Sequence, residues 1–416
     1  MEKGLGMNMK KFFVLATASF GAFALNAGVS NVVVTQPSAS EVVVTYDLTG
    51  DPAIVTVDIT TNGVSVGASH LRSISGAVNR LVQPGTGLVA RWKAYVDMCD
   101  VESASVNAEV TAWSPSTPPD YMVVDLRDSE SKLAHEYYAD IEAIPLGFTN
   151  ALYKTAKMIF RRVPAAGTTF LMGSRDGEPD RNDDREIPHL VSFTNDFWLG
   201  IYTMTIGQYN TLVNGMVTTI ANPYCPKILR SWADVRNAVP ADPPAPSSPL
   251  GKFKDRTGLS ADLPTDAEFE FAHRAGVSGP IVNPDYTYAN TGADPLKIDW
   301  CQYGSNSSLD GFQDVGMLEP NRWHFYDMGG NSANYCRDYY TYGGYYKGTF
   351  PANYETGIPA VAPLVSIKND KIGDYHIARG GRWNMTNASN TRPAHRYLAE
   401  FIADYMSLRI SVPIYR

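Results

Sequence analysis

The sequence predicts an all-β sandwich followed by a larger α+β unit, and three observations carry that expectation. In residues 29–63, VSNVVVTQPSASEVVVTYDLTGDPAIVTVDITTNG, β-branched runs alternate with Ser, Asp and Gly turn signals every eight to twelve residues, the spacing of short strands packed as two sheets. The stretch Trp113-Ser-Pro-Ser-Thr-Pro-Pro then breaks both strand and helix. Beyond it, strand-like runs are interleaved with helix N-cap signals, the pattern of a mixed unit. A chain of 416 residues exceeds one compact core, so about two or three domains are expected.

In chain order, Lys10 and Lys11 precede an apolar run from Phe12 to Leu25 and then small residues. Charged, apolar and cleavable segments in that order form a secretory signal, assigned to residues 1–27, with cleavage after Ala24 or Ala27. The alternative, an uncleaved anchor, needs a span of about 20 residues, and this run is shorter. The expected location is secreted or otherwise extracytoplasmic, with no membrane span after cleavage. Residues 28–116 form the expected Ig- or fibronectin-like sandwich, with later strands at Leu88–Tyr95 and Ser105–Trp113 and with Trp92 in the core. No catalytic constellation falls in it, so its expected role is a spacer or adhesion module. Residues 117–154 are read as a connector, with a strand at Tyr121–Leu126 and a short helix within Lys132–Phe148.

The α+β unit is assigned to residues 155–416. Phe170–Ser174 supplies a strand and turn, and an acidic loop leads to Ile187-Pro188-His189. After a strand at Phe197–Ile201, Thr205 caps one helix. Pro-rich residues 239–249 read as a loop. Thr265 caps a further helix with Glu268 at its third position, a capping box, and that pattern accounts for Glu268, Glu270 and His273 as structural residues.

Hydrophobic residues make up 44% of the chain, with 24 Tyr and 7 Trp, which excludes a disordered chain and suits tyrosine-rich surfaces. The net charge of −8 gives no basic footprint for a phosphate backbone, so nucleic acid is not an expected partner. The four cysteines, Cys99, Cys225, Cys301 and Cys336, show no CxxC or other metal-ligand spacing. A bridge between Cys301 and Cys336 and isolated buried thiols both remain open. The seven histidines share no HxxxH or HxE motif and no GxSxG elbow is present, so neither a facial iron triad nor a serine hydrolase is readable.

Four stretches follow one another in the last 250 residues: FLMGSRDGEPDRNDDREIPHLVSF (170–193), LPTDAEFEFAHRAG (263–276), EPNRWHFYDMGGNSANYCRDYY (319–340) and ARGGRWNMTNASNTRPAHRY (378–397). Together they resemble the formylglycine-generating enzyme, or sulfatase-modifying factor, family. The resemblance implies an elaborated C-type-lectin-like fold. In that family two cysteines, five residues apart after a Gly-Gly-Ser-aromatic turn, bind copper(I) and oxidise a substrate cysteine to formylglycine. Counting from Gly380-Gly381-Arg382-Trp383, those places hold Met385 and Asn390. No copper and no such catalysis are expected. The rival class is a metal-dependent oxidoreductase using other ligands, since relatives of this domain occur beside non-haem iron enzymes.

The resemblance also implies two calcium sites, calcium being a hard cation that wants six to eight oxygens. One would use Asn306, Ser307, Asp310 and Phe312. The other would use Asp327, Gly330, Ser332 and Asn334, with Asn334 in place of a family glutamate. Both clusters also read as Gly/Asn-rich loops tied by internal hydrogen bonds. The C-terminal segment further resembles the variable segment of diversity-generating-retroelement target proteins. There, Arg392, Arg396 and Arg409 match framework positions, where arginines pin loops through internal salt bridges. The expected ligand face is Trp383, Asn384, Thr386, Asn387, His395 and Tyr397, whose aromatic faces and amides suit a protein or carbohydrate ligand. The function read from the sequence is thus an exported, non-catalytic ligand-binding protein.

Overall fold

The computed structural model describes residues 27–98, 105–127, 134–183, 185–215, 220–237, 243–339, 360–362, 376–399 and 404–415. The signal segment, apart from Ala27, and Cys99 lie outside the described residues. The chain divides into two compact units: residues up to Met122 with Ala134–Phe148, and Val123–Leu133 with Thr149–Arg416. The segment read as a connector is therefore shared between the units.

In the first unit, β1 (Gly28–Ser38), β2 (Glu41–Thr49), β3 (Ala53–Thr61), β4 (Val64–Ser65), β5 (Ser75–Gly76), β6 (Arg80–Val82), β7 (Gly85–Trp92) and β8 (Val106–Trp113) form two antiparallel sheets. Their orders are β1-β2-β7-β5 and β4-β3-β6, with β8 paired to β3. Alternate residues Val42, Val44 and Tyr46 of β2 and Val55, Val57 and Ile59 of β3 share one core with Trp92, as period-two side chains on a pleated strand require. Trp92 is wholly buried, and its indole N–H donates to the Asp97 carboxylate at 2.9 Å. The strand expected to reach Tyr95 stops at Trp92, because α1 (Ala94–Asp97) follows at once. Strand β9 (Tyr121–Asp125) leads into the second unit. In place of the expected helix, β10 (Glu136–Tyr138) and a 3-10 turn at Ile141–Ala143 occupy the next stretch of the first unit.

The second unit is mixed, mostly sheet with a few short helices. Strands β11 (Lys157–Val163), β14 (Phe197–Gly200) and β20 (Ser411–Pro413) pair antiparallel in that order. A second sheet runs β12 (Thr169–Met172), β13 (His189–Phe193), β16 (Ala360–Ala362). A third has the order β18 (Tyr397–Ala399), β17 (His376–Arg379), β15 (Ala333–Tyr339), β19 (Met406–Ser407). The helices are α2 (Ile206–Asn214), α3 (Trp232–Arg236), α4 (Pro249–Thr257) and α5 (Asp266–Arg274). Phe193, Phe197, Phe269, Met328, Cys336 and Ile377 belong to the core between α5 and the strands.

Helix starts follow from local chemistry. Thr205 and Thr265 each close a capping box, with Gln208 and Glu268. Helix α4 arises where the Pro-rich run reads as loop: Ser248 caps it and Pro249, with no N–H to waste, takes its first position. Among the described residues no helix is long and apolar enough to cross a membrane. Cys225, Cys301 and Cys336 are free thiols. A bridge between Cys301 and Cys336 is not formed, because the two sulfurs belong to separate apolar clusters. Replacing Thr265 by Ala removes the bond its hydroxyl accepts from the Glu268 N–H while keeping its own N–H to the Glu268 carboxylate, and is expected to cost about 1 kcal/mol, read as a lower urea midpoint at constant slope; an unchanged midpoint would show that the cap does not hold α5.

Candidate functional site

Charge in the interior fastens the C-terminal segment. Asp266 and Glu270 lie one turn apart on α5 and so share a face. Arg379, at the end of β17, donates through Nε to Asp266, through Nη2 to Glu270 at 2.9 Å and through Nη1 to the Pro393 carbonyl at 2.6 Å. Arg396 Nε donates to the other Asp266 oxygen at 2.7 Å, and its Nη1 reaches the Arg185 carbonyl at 2.6 Å. Arg274 ties Glu270, at 2.9 Å, to the Gly173 carbonyl, at 2.8 Å. A second knot centres on Glu186, which accepts from Arg392 at 2.7 and 2.9 Å and from Ser174 at 2.8 Å, with His395 Nδ1 at 3.2 Å. Arg392 also reaches Glu178 at 2.9 Å. Four carboxylates (Asp266, Glu270, Glu186, Glu178) thus face four guanidiniums (Arg379, Arg396, Arg274, Arg392). A lone charge so deep would cost several kcal/mol.

The electrostatics follow from the pairing. Burial alone would raise the Glu186 carboxyl, but the hydrogen bond from His395 and the Arg392 charge hold it down at about 2. Asp266 and Glu270 are likewise held below the usual range against their burial, by Arg379 and Arg396 for the first and Arg274 and Arg379 for the second. Burial pushes the His395 imidazole down against the pull of Glu186.

The arginine-pinned segment carries the expected ligand face. Gly380 and Gly381 take φ values of 89° and 74°; a Cβ would stand 2.6 Å from the Met328 carbonyl oxygen at the first and 2.9 Å from that of Asn390 at the second, so only glycine makes this turn. The Trp383 N–H then donates to the Asn331 carbonyl at 2.9 Å, and the Met385 carbonyl accepts from the Gln302 N–H at 2.8 Å. Asn384 and Thr386 are exposed, and Trp383 is half-buried. Asn387 is half-buried, its amide oxygen accepting from Ser389 and, at 3.2 Å, from Asn390. Tyr397 donates to the Asn390 carbonyl at 2.9 Å. His395 is only 8% exposed and packs edge-on against Tyr397. The six residues are therefore not one open face: His395 is drawn inside by Glu186, and Asn387 and Tyr397 brace the loop.

Beside Trp383, its ring edge-on to Phe312 at 6.3 Å between centroids, opens a cleft of about 420 Å³ lined by Cys225, Trp300, Phe312, Gln313, Asp314 and Met317. The sequence reading missed this cleft and took Phe312 only for its carbonyl; the available signal was the aromatic and thioether enrichment between Trp300 and Met317. The Trp300 indole N–H is buried with no hydrogen-bond partner among the described residues. Burial, then its contact with Asp314, pushes the Cys225 thiol up to about 12, away from the thiolate form that reacts.

The two expected calcium clusters differ. Asn306 and Ser307 close a 3-10 turn, the Asn306 carbonyl accepts from Leu309 N–H at 2.9 Å, and the Asp310 carboxylate is exposed to solvent. Cys225 Sγ lies 3.5 Å from the Phe312 carbonyl. Asp327 is 3% exposed and accepts the Gly316 N–H at 2.7 Å. Asn334 donates to the Ser332 carbonyl at 3.1 Å and accepts from Thr203 at 2.7 Å. Gly330 has φ 72°. Among the described residues no three His, Cys, Asp or Glu side chains are grouped as metal ligands.

A family model described as the sulfatase-modifying factor enzyme 1-like domain matches residues 150–410, more than half of the chain. The chain belongs to this family. No curated protein matches it. Similar solved structures include PvdO from Pseudomonas aeruginosa, 20% identical over 62% of this chain and 94% of that one with a TM-score of 0.45. Treponema denticola variable protein 1 is 17% identical over 62% and 95%, with a TM-score of 0.43. CarF is 17% identical over 62% and 99%, with a TM-score of 0.36. Within the sulfatase-modifying-factor-like domain, the loop that holds Met385 and Asn390 rests on the charged network just described.

That network sets the response to acid. Glu186, Asp266 and Glu270 have carboxyls depressed relative to the free side chain, so their contribution is full above the unfolded value, about 4.3 for Glu, and is lost as pH falls. Thermal midpoints should drop between about pH 4.5 and pH 2, and Glu186→Gln should flatten the lower part of that drop; a profile unaltered by the substitution would remove Glu186 from the network's energetics.

Proposed function

We propose that the protein is exported and binds a protein or carbohydrate ligand without catalysis. In this reading Trp383, Asn384, Thr386 and the adjoining cleft form the binding surface. Asn387, His395 and Tyr397 hold it from behind, and the first unit is an Ig- or fibronectin-like spacer. The observation that carries the proposal is one of position. Where the Gly-Gly turn is followed in the family by two copper-binding cysteines, Met385 and Asn390 stand here, and Trp383 of the same turn meets Phe312 on the wall of an open cleft that Trp300 and Met317 also line. Copper(I) is held by soft thiolates, and an amide is a poor substitute. Aromatic walls beside amides suit a sugar ring or a peptide. Export is supported by the charged-then-apolar N-terminus. Exposed Asn384 and Thr386 are the positions where variation would alter specificity without disturbing the frame.

Calcium is proposed at Asn306, Ser307, Asp310 and Phe312, where an exposed carboxylate and turn carbonyls offer the oxygen donors a hard cation takes. When bound there it would stiffen the wall of the cleft that Phe312 forms. A second reading places recognition in the first unit, which has a cleft of about 380 Å³ whose lining includes Asp58, Glu109, Thr111, Trp113 and Tyr138.

Asn384→Ala with Thr386→Ala should leave the melting temperature unchanged, because surface substitutions cost under about 0.5 kcal/mol, yet weaken binding on glycan and cell-surface protein arrays by about tenfold. Survival of binding in that variant, with its loss in Thr111→Trp, would move recognition to the first unit. Incubation with a Cys-x-Pro-x-Arg peptide, copper(I) and oxygen should give no aldehyde, and aldehyde above the metal-free control would overturn the non-catalytic reading.

A further inference from the structure

We infer that the cluster around Asp327 takes no divalent cation and that Lys154, together with Arg409, supplies its positive charge from within the chain. The resemblance drew a second calcium from Asp327, Gly330, Ser332 and Asn334, and the geometry disagrees at three points.

The oxygens are few, and three of them are already engaged. One Asp327 oxygen accepts the Gly316 N–H at 2.7 Å. The Ser332 carbonyl, a ligand in the expected set, accepts from Asn334 Nδ2 at 3.1 Å. Asn334 is itself oriented by Thr203, whose hydroxyl donates to its Oδ1 at 2.7 Å. The side chain standing where the family has a glutamate thus turns an N–H donor, not an oxygen, toward the would-be ligand. Of the expected side-chain oxygens, Asp327 Oδ1 is buried without a hydrogen-bond partner, well short of the six to eight oxygens that calcium takes.

The positive charge is already present. Lys154 ends a 3-10 turn, Ala151–Lys154, that Asn150 caps, and its ammonium is carried inward until the residue is 8% exposed. Nζ donates to the Val315 carbonyl at 2.7 Å, one residue before the N–H that binds Asp327, and stands 5.2 Å from the centroid of the Tyr202 ring. Arg409 is wholly buried. It donates to the carbonyls of Gly200 at 2.8 Å and Tyr326 at 2.7 Å and lies 3.3 Å from that of Asp327 itself. Burial pushes the Lys154 ammonium down, opposed by the charges of Asp327 and Asp314; burial also raises the Asp327 carboxyl, with Arg409 and Lys154 among the groups opposing it.

The balance of charge completes the case. Lys154 and Arg409 oppose the Asp327 charge, Lys154 that of Asp314 as well, and the buried Asp299 carboxyl lies within electrostatic reach of Asp327, so the positive charge this turn needs already comes from the chain where the family's extra carboxylate is missing. A lysine and an asparagine have together taken over what a cation and a glutamate would do.

The test uses the full chain carrying Asp310→Ala, which removes the proposed first calcium site at an exposed residue. Its melting temperature should be the same in calcium and in chelator, and terbium should give no emission sensitised by Tyr202 or Tyr326. Adding Lys154→Ala should lower the midpoint by several degrees and create a calcium-dependent rise, larger when Asn334→Glu is added as well. The inference falls if the Asp310→Ala chain melts higher in calcium and Asp327→Asn removes the difference, or if it binds terbium with sensitised emission that Asp327→Asn abolishes. It falls equally if Lys154→Ala changes neither the midpoint nor the calcium response. Should Lys154→Ala not fold, the terbium titration of the Asp310→Ala chain decides alone.

Discussion

Asp266 and Glu270, one helical turn apart and almost wholly buried, must find positive charge in the interior; Arg274 of the same helix supplies part of it to Glu270, and the rest comes from residues more than a hundred positions later. Removing either partner of such a pair would leave an uncompensated charge at a cost of about 3–5 kcal/mol. Arg379 and Arg396 divide the two oxygens of Asp266 between them, and Arg379 also grips the Pro393 carbonyl. The path of residues 376–396 over α5 is thereby set at both ends. Arg392 adds a third fixed point on Glu186, and the Gly-Gly turn lies between these anchors.

The exposed side chains of the loop after the Gly-Gly turn sit on this frame. Asn384 and Thr386 project from a segment whose backbone is held by Gln302, Asn331 and Asn290, while Asn387, Asn390 and Tyr397 bond to one another beneath it. A rigid backbone with free side chains lets the surface change composition without disturbing the fold. The same economy marks the Asp327 turn, where internal cations keep the local geometry independent of an external ion.

What the sequence made legible was local chemistry. The capping boxes at Thr205 and Thr265 are readable because donor and acceptor lie three residues apart. Trp92 stands out as a large aromatic in a strand-like run, and Arg392, Arg396 and Arg409 as the framework arginines that the family resemblance implies. Partnership over distance was not legible. Nothing near His395 announces Glu186, 209 residues earlier, so a residue in a polar run was taken for surface. Pro249 was read as loop because its helix depends on the Ser248 cap, a weaker cue than the prolines around it. The cleft beside Trp383 combines Cys225 with residues 300–317, a convergence visible only after folding. Lys154 escaped notice for the same reason: its role is set by Val315 and Asp327, more than 150 residues away.

Hydrogen exchange of the amides in residues 376–399 tests most directly whether buried charge positions the loop after the Gly-Gly turn. In the chain carrying Asp266→Asn and Glu270→Gln, protection of those amides should fall by about a hundredfold or more, as the loss of a buried pair predicts, while amides of β2, β3 and β7 exchange as before. Unchanged protection in residues 376–399 would contradict the role given to the α5 carboxylates and leave the loop held by its backbone contacts alone.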